Sequence, residues 1–402
     1  MAYSPARHKY YREPPVLPRD LKYLVVGAGL WGGVLAERIA SALGERVLVI
    51  DRRSHTGGNC HSFIDPGTGI ECHAYGTHVF HTAIPRVWEY VSRFTRFTPY
   101  RHKVLTEHRG RVYPMPVGLA AINMFYGLNL RPYEVPDFIR REAAASTDTG
   151  EPANLEEKAV SLIGRPLYEA FVKGYTWKQW EKNPKDLPPG IITRLPVRAD
   201  YNTDYFSDPW QGMPKQGYAA MFDELFRHPL IEVRTGLAYA DIAGNVPSAC
   251  AILYSGPLDE LCDYAFGALE WRALRFERDI LPYQDAQGTA VLNQADVEIP
   301  WTRTHEFKHL HPERGPQGNR TIVAREYSRA CRRGDEPYYP VNTPENLSLQ
   351  GRYRARLAEK MPNVVAGGRL GGYRYLDMDK TIDEALGLFE TLRARKNGER
   401  GA

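Results

Sequence analysis

The chain has 402 residues, 43% of them hydrophobic and 25% charged, with a formal net charge of +4 and a pI near 8.6. A soluble globular chain of this length divides into two or three domains. The small basic excess suits an anionic small substrate. No long basic run argues for nucleic acid, and no apolar run of about 18 residues argues for a membrane span.

The first twenty residues, "MAYSPARHKYYREPPVLPRD", are polar and proline-rich and lack the apolar core of a signal peptide, so a flexible or loosely docked tail is expected. Five scattered cysteines, Cys60, Cys72, Cys250, Cys262 and Cys331, form no C-x-x-C pair. They point to a reducing, cytoplasmic setting with neither a zinc site nor a disulfide frame.

Leu21–Val26 reads as a short buried strand and runs into "GAGLWGG", in which Gly27, Gly29 and Gly32 form G-x-G-x-x-G. The following "VLAERIASALG" has helical spacing and a C-cap candidate in Gly44. "RVLVID" is a second strand ending in Asp51, 19 residues beyond Gly32. Glycines allow the tight turn and the close approach of a pyrophosphate to the helix N-terminus, at Leu30, and the acid accepts a bond from a ribose hydroxyl. Strand, loop, helix, strand and acid in register mark a dinucleotide site. "DRRSHTGGN" then adds Arg53 followed by Gly57 and Gly58. This R-x-x-x-G-G extension resembles that of the glutathione-reductase-type and amine-oxidase-like FAD proteins, which implies FAD rather than a nicotinamide cofactor.

"IECHAYGTHVFHT" carries His73, His78 and His81 with the spacing H-x4-H-x2-H. Its glycine, β-branched and aromatic residues predict strand and loop. In a strand His78 and His81 point to opposite faces, and His73 and His81 lie roughly 26 Å apart, so no shared metal is expected. Each histidine either makes a structural hydrogen bond or stands beside the flavin.

Pro114 and Pro116 in "RVYPMPVGLAAINMFYG" mark the exit from the first domain. "VPDFIRREAAAS" and "NLEEKAVSLIGRPLYEAFVKGYTWKQW" show helical spacing. After "NPKDLPPG", segments such as "TAVLNQ" and "TIVAREYS" read as strands, "ACAILYSGPLDELCDYAFG" as a further strand of the nucleotide domain, and "NVVAGGRLGGYRYLDMDKTIDEALGLFETLRAR" as strand, glycine turn and long helix. The expected fold class is α/β: a doubly wound, Rossmann-like FAD domain with an inserted helical bundle and an antiparallel sheet domain. The expected division is a tail over 1–20, an FAD domain over 21–110, about 225–268 and 355–402, a helical subdomain over 111–190, and a substrate domain over 191–224 and 269–354.

"GGN...YGTHVFHT", "GYTWKQW", "RLPVRADYNTDYF", "YSGPLDELCDYAFG", "PWTRTHEFKH", "EPYYPVN" and "GRLGGYRYLDMD", in this order, resemble the bacterial UDP-galactopyranose mutases. The resemblance runs from about residue 21 to 390. It implies a flavoenzyme that interconverts UDP-galactopyranose and UDP-galactofuranose for cell-surface glycans, without net redox change and with FAD in its reduced form. In that family flavin N5 attacks the anomeric carbon, UDP leaves, and the ring recloses through a flavin–sugar iminium. The resemblance further implies an external reductant such as NAD(P)H and a homodimer or higher homo-oligomer. The amine-oxidase-like oxidoreductases and a non-catalytic nucleotide-sugar binder are the competing classes.

The resemblance places the diphosphate arginines at Arg194 and Arg369, with Arg198 close enough to be confused with the first. It places phosphate-binding hydroxyls at Tyr205, Tyr375 and either Tyr338 or Tyr339, and a uracil-stacking face at Tyr175 with Phe171 and Thr176 nearby. Trp180 and Phe206 are expected by the sugar, and Asn293 and Arg303 near substrate and flavin; Arg272 matches a further arginine position, although Ala268 breaks the usual "GRL". Cofactor contacts are expected from Gly27, Gly29, Leu30, Asp51, Arg52, Gly58, Asn59, His78, Arg369, Tyr375, Asp377 and Met378. Catalytic roles fall to Arg194, Arg369 and His78, with His81 as the structural partner of His78. Two departures stand out: the family acid is glutamate where this chain has Asp51, and "PMPVGLAAIN" lacks the family's asparagine.

Overall fold

The computed structural model describes residues 17–401 except 19, 146–149, 193–196 and 316–317. Strands β1 (Tyr23–Val26) and β2 (Val47–Asp51) flank helix α1 (Leu30–Leu43). The helix ends at Gly44, whose φ of 65° lies in the left-handed region that glycine enters without strain. Strands β3 (Ser62–Ile64) and β4 (Glu71–His73) form a hairpin, followed by β5 (Phe80–Thr82) and helix α2 (Pro85–Val91). A second hairpin, β6 (Val104–His108) and β7 (Arg111–Met115), leads into the helical insert. This insert comprises α3 (Leu119–Tyr126), α4 (Val135–Ala144), α5 (Leu155–Ile163), α6 (Arg165–Leu167), a π-helical stretch at Tyr168–Lys173, and α7 (Gly174–Trp180). Asn154 caps α5 by accepting from the Glu157 N–H at 3.0 Å.

Beyond it come β8 (Trp210–Gly212), α8 (Gly217–Leu225), β9 (Ile231–Thr235), β10 (Ala251–Tyr254) and α9 (Leu258–Leu261). Strands β11 (Trp271–Leu281), β12 (Val291–Gln294), β13 (Arg303–Glu306), β14 (Thr321–Ala330) and β15 (Pro337–Pro340) follow. The chain closes with α10 (Pro344–Lys360), β16 (Val364–Ala366), α11 (Gly368–Gly372) and α12 (Met378–Gly401).

The first sheet is parallel, in the order β16-β10-β1-β2-β9. Alternate residues of its strands enter two cores, as the period of two requires. Val25, Val47, Val49 and Leu253 pack with Val34, Leu35 and Ile39 of α1 and Ile382 and Phe389 of α12. Leu24, Leu48, Ile50 and Ile252 pack with Leu17, Leu21 and Ile242. Burial on both faces is why the strands read as unbroken apolar runs. Leu17 is thus anchored inside the expected tail, while residues 1–16 lie outside the described residues.

The second sheet has the order β15-β11-β14-β13-β12-β6-β7 and is antiparallel except where β12 runs parallel to β6. Two boundaries therefore differ from the sequence expectation. Strands β6 and β7, expected in the nucleotide domain and the helical insert, complete this sheet. Residues 210–224, expected with the substrate sheet, instead pair β8 with β5 and dock α8 on β3 and α1. Short strands take their place from long-range partners, which local sequence does not encode.

Candidate active site

The phosphate loop is shaped by glycines that nothing larger could replace. Gly27 has φ 108°, and a Cβ on Gly32 would press into the Gly27 carbonyl oxygen. Gly57 and Gly58 also have positive φ, and a Cβ on Gly58 would come within 3.1 Å of the Gly29 Cα. The second glycine turn thus rests directly on the first. The Gly29 N-cap has no side-chain cap, so the start of α1 is open to an anion.

Asp51 is buried, and its two carboxylate oxygens accept the backbone N–H groups of Ala28 and Arg53, each at 2.8 Å. Those bonds fix the carboxylate against the glycine loop and leave each oxygen a further lone pair. A cavity of about 620 Å³ opens from this point. Gly27, Gly29, Leu30, Asp51, Arg52, Gly58, Asn59, His78, Arg369 and Met378 all line it, whereas Tyr375 and Asp377 do not. Residues not expected as cofactor contacts also line it, notably Arg53, Tyr239, Ser255 and Glu336. Arg53 lay in plain view in the R-x-x-x-G-G pattern. It pairs with Glu336 at 2.6 Å, donates to Asn59 at 2.9 Å, and lies 4.3 Å from the Tyr75 ring centroid. Arg52 bridges Glu260 and Glu336, both at 3.2 Å.

His78 also lines the cavity. Its Nδ1 is 2.8 Å from the Gly76 carbonyl, which can only accept, so Nδ1 carries the proton and Nε2 keeps a lone pair. Burial pushes its pKa down to about 4, and the nearby Arg369 guanidinium acts in the same direction, so the ring is neutral. Its structural partner is His73, not His81: His73 Nδ1 accepts the His78 backbone N–H at 3.0 Å. His81 turns away, 2.5 Å from Asp208 Oδ2 and stacked on Phe206 at 3.6 Å. The turn at Gly76, φ 88°, folds the segment back and breaks the simple strand alternation.

Arg369, on α11, donates to the Leu376 carbonyl at 2.7 Å and lies 4.7 Å from the Tyr375 ring centroid and 6.0 Å from that of Tyr339. Those two rings are 5.9 Å apart. Tyr339 is the tyrosine that joins this group. Tyr338 is 3% exposed, and its ring lies 6.4 Å from that of Tyr75. Burial raises the Tyr339 and Tyr175 hydroxyls, and that of Tyr375, a residue 48% exposed, shifts in the same direction, so all three remain hydrogen-bond donors at neutral pH.

Tyr175, on α7, accepts a hydrogen bond from Arg303 Nη2, and Arg303 Nε lies 3.4 Å from Glu326 Oε1. Burial alone would raise the Glu326 pKa, but Arg303 and His305 hold it at about 2. His305 bonds Glu326 at 3.0 Å and Thr77 at 2.8 Å. A buried polar chain therefore links Thr77, next to His78, through His305, Glu326 and Arg303 to Tyr175. Asn293 Oδ1 is buried without a hydrogen-bond partner, an orphan acceptor of the kind a ligand satisfies.

Other expected residues fall elsewhere. Phe171 is 7% exposed and packs at 5.0 Å on Tyr113 and 5.4 Å on Phe125, as a core residue. Thr176 is buried, Trp180 packs against the main core, and Tyr205 is 42% exposed, edge-on to His102 and Phe206. Arg272 is consumed by Gln179, Glu181 and Ser328, and Arg198 by the carbonyls of Asn202 and Asp204. Arg194 lies outside the described residues.

A glycine-cradled cavity at the C-terminal ends of the central strands of a doubly wound parallel sheet defines a nucleotide-binding Rossmann protein of the flavoprotein type. Residues 25–94 match the family model of the NAD(P)-binding Rossmann-like domain, and residues 170–375 match that of UDP-galactopyranose mutase. The chain is 41% identical to a probable UDP-galactopyranose mutase of Klebsiella pneumoniae, over 90% of this chain and 92% of the relative. It is 36% identical to the dTDP-fucopyranose mutase of Escherichia coli, over 91% and 96%. A crystal structure of reduced UDP-galactopyranose mutase superposes with a TM-score of 0.71 at 14% identity, over 93% of this chain and 94% of the other. A putative protoporphyrinogen oxidase shares the fold at a TM-score of 0.61 and 12% identity. The chain belongs to the UDP-galactopyranose mutase family of isomerases.

Proposed function

We propose that the protein interconverts UDP-galactopyranose and UDP-galactofuranose with FAD bound in the cavity. The observation that carries this reading is that His78 and Arg369 both line the cavity, with the Tyr375 and Tyr339 rings 4.7 and 6.0 Å from the Arg369 guanidinium. The residues fit the cofactor. The glycine cradle admits a pyrophosphate without a Cβ in its path, the Asp51 carboxylate has lone pairs for ribose, and about 620 Å³ is in the range of cofactor sites. Bound and reduced, FAD supplies a nucleophilic nitrogen for the anomeric carbon of the sugar.

The protein's own groups do the rest. Arg369 and the Tyr339 and Tyr375 hydroxyls donate to the diphosphate as it leaves with its charge, and donors already in place before the charge develops stabilise it. Arg194 is assigned the same role from the family resemblance. His78, neutral, offers Nε2 as an acceptor for a hydroxyl or N–H in the cavity. Tyr175, held by Arg303, presents a ring face for the base. On this reading the protein works in the cytoplasm with an external reductant such as NAD(P)H.

The relative of 36% identity supports a second reading, in which the nucleotide is dTDP and the sugar a 6-deoxyhexose. Incubating dithionite-reduced protein with UDP-galactofuranose and, separately, with dTDP-fucofuranose distinguishes the two by which pyranose accumulates. Conversion of the first without consumption of reductant is expected. Equal turnover by oxidised protein, or no conversion of either sugar nucleotide, overturns the proposal.

A further inference from the structure

Helix α7 carries Tyr175, Thr176 and Trp180, while Asn293 and Arg303 sit on the facing ends of β12 and β13, joined by residues 295–302. Among the described residues, one side chain of the helix makes several hydrogen bonds to that hairpin. Lys178 is 9% exposed, and its Nζ donates to four backbone carbonyls: Gln294 and Asp296 at 2.8 Å, Ile299 and Trp301 at 3.0 Å. Gln294 is the last residue of β12 and the other three belong to the β12–β13 connection, which folds around the ammonium as carbonyl rings fold around a monovalent cation. Four acceptors for three N–H donors make a cage, not an incidental contact.

A second feature of the helix serves the same approach. Gly174 lies one turn before Lys178 and therefore on the same face. A Cβ there would collide with the Ala295 carbonyl oxygen, so glycine lets α7 lie directly against the loop. The loop is braced from its other side too, because Asp296 accepts from His108 Nδ1 at 2.6 Å and from the Arg109 N–H at 2.7 Å. Burial lowers the Lys178 pKa to about 8, which leaves the ammonium the major form at neutral pH.

We propose that Lys178 is a positioning residue: its ammonium is a built-in monovalent cation that locks the β12–β13 connection to α7 and so sets the spacing of Asn293 and Arg303 from Tyr175 in the nucleotide site. It touches neither substrate nor cofactor. The inference rests on the reading of Tyr175, Asn293 and Arg303 as nucleotide contacts. Its chemistry makes a specific demand, because removing the side chain takes the ammonium from four convergent carbonyls, of which Asp296 keeps the Ile299 N–H at 3.3 Å, and a free monovalent cation that sheds its water can take the ammonium's place.

The test compares wild type, Lys178→Ala and Lys178→Met, each with flavin bound, in choline chloride and in ammonium or potassium chloride of equal ionic strength. UDP affinity and the thermal midpoint are measured in each. Wild type should bind UDP equally in both salts. Lys178→Ala should bind about tenfold more weakly in choline and recover most of that loss with ammonium or potassium, since misplacement of this kind costs one to two orders of magnitude. Lys178→Met, whose apolar end fills the cage, should stay weak in both salts. If Lys178→Ala folds only with ammonium or potassium, that cation dependence supports the cage equally. Wild-type affinity for Lys178→Ala in choline, or a loss that neither cation recovers, overturns the proposal. If wild type itself does not bind UDP, the nucleotide reading fails, and the cation dependence of the Lys178→Ala thermal midpoint still decides the cage.

Discussion

Replacing Arg303 with methionine tests the buried polar chain most directly. Glu326 is 2% exposed, and its carboxylate is held by Arg303 Nε at 3.4 Å, His305 Nε2 at 3.0 Å and the Thr302 hydroxyl at 3.2 Å. Methionine keeps much of the stem's volume and removes the positive charge. The carboxylate left behind is buried without its main counter-charge, a situation that costs about 3–5 kcal/mol. Converting Glu326 to glutamine in the same protein removes the uncompensated charge and should restore about 2 kcal/mol of that loss.

Urea unfolding of wild type, both single variants and the double variant closes the cycle. The pH dependence gives an independent reading. In wild type the folded pKa of Glu326, about 2, lies below its usual 4.5. Its ionised form therefore contributes stability that is complete above 4.5 and drains as pH falls toward 2. Without Arg303 the folded pKa rises, so the gap between wild type and Arg303→Met should be widest near neutral pH and narrow as the solution is acidified. A double variant no more stable than Arg303→Met, together with a gap that does not change with pH, would refute the assignment of Arg303 and Glu326 as a coupled pair.

Arg369→Ala should lower turnover about 100-fold, the loss expected for one charged donor to a developing anion, while bound flavin absorbance persists; normal turnover removes Arg369 from the diphosphate site. Gly32→Ala drives a Cβ into the Gly27 carbonyl oxygen and should yield protein purified with little flavin, measured by the ratio of visible to ultraviolet absorbance. His73 and His102 are buried and neutral, the first well below the usual 6.5 and the second at about 3, in both cases chiefly through burial. Below 6.5 the unfolded chain takes up a proton at each that the folded chain refuses, so stability falls with pH by about 1.4 kcal/mol per unit for each ring. Unfolding midpoints that stay flat from pH 6.5 to about 4.5 would contradict this, and His102→Asn should remove one ring's share of the slope, about 1.4 kcal/mol per unit, since His61 and His78, both pushed down to about 4, also contribute.

The sequence by itself determined the parts whose chemistry is local. Gly27, Gly29 and Gly32 announced the phosphate loop, where the φ of 108° at Gly27 and the close approach at Gly32 exclude a Cβ, and Gly44 announced the end of α1 because only glycine rests easily at its φ of 65°. Asp51 and the Gly57–Gly58 turn were legible for the same reason: each does its work within a few residues of the loop it supports. The two-sided burial of β1 and β2 was written in their unbroken apolar runs.

The tertiary structure decided everything that depends on partners distant in sequence. His78 rests on His73 rather than His81 because Gly76 folds the segment back, an event no strand periodicity encodes. Phe171, expected at the base, is claimed by Tyr113 and Phe125 from other elements. The parallel pairing of β6 with β12 joins residues almost two hundred positions apart, so neither strand alone could declare its sheet. Lys178 looked like one more charged residue in a helix until four carbonyls from a separate hairpin were seen to converge on it. A side chain's type limits the bonds it can make, and only the folded chain supplies the groups that make them.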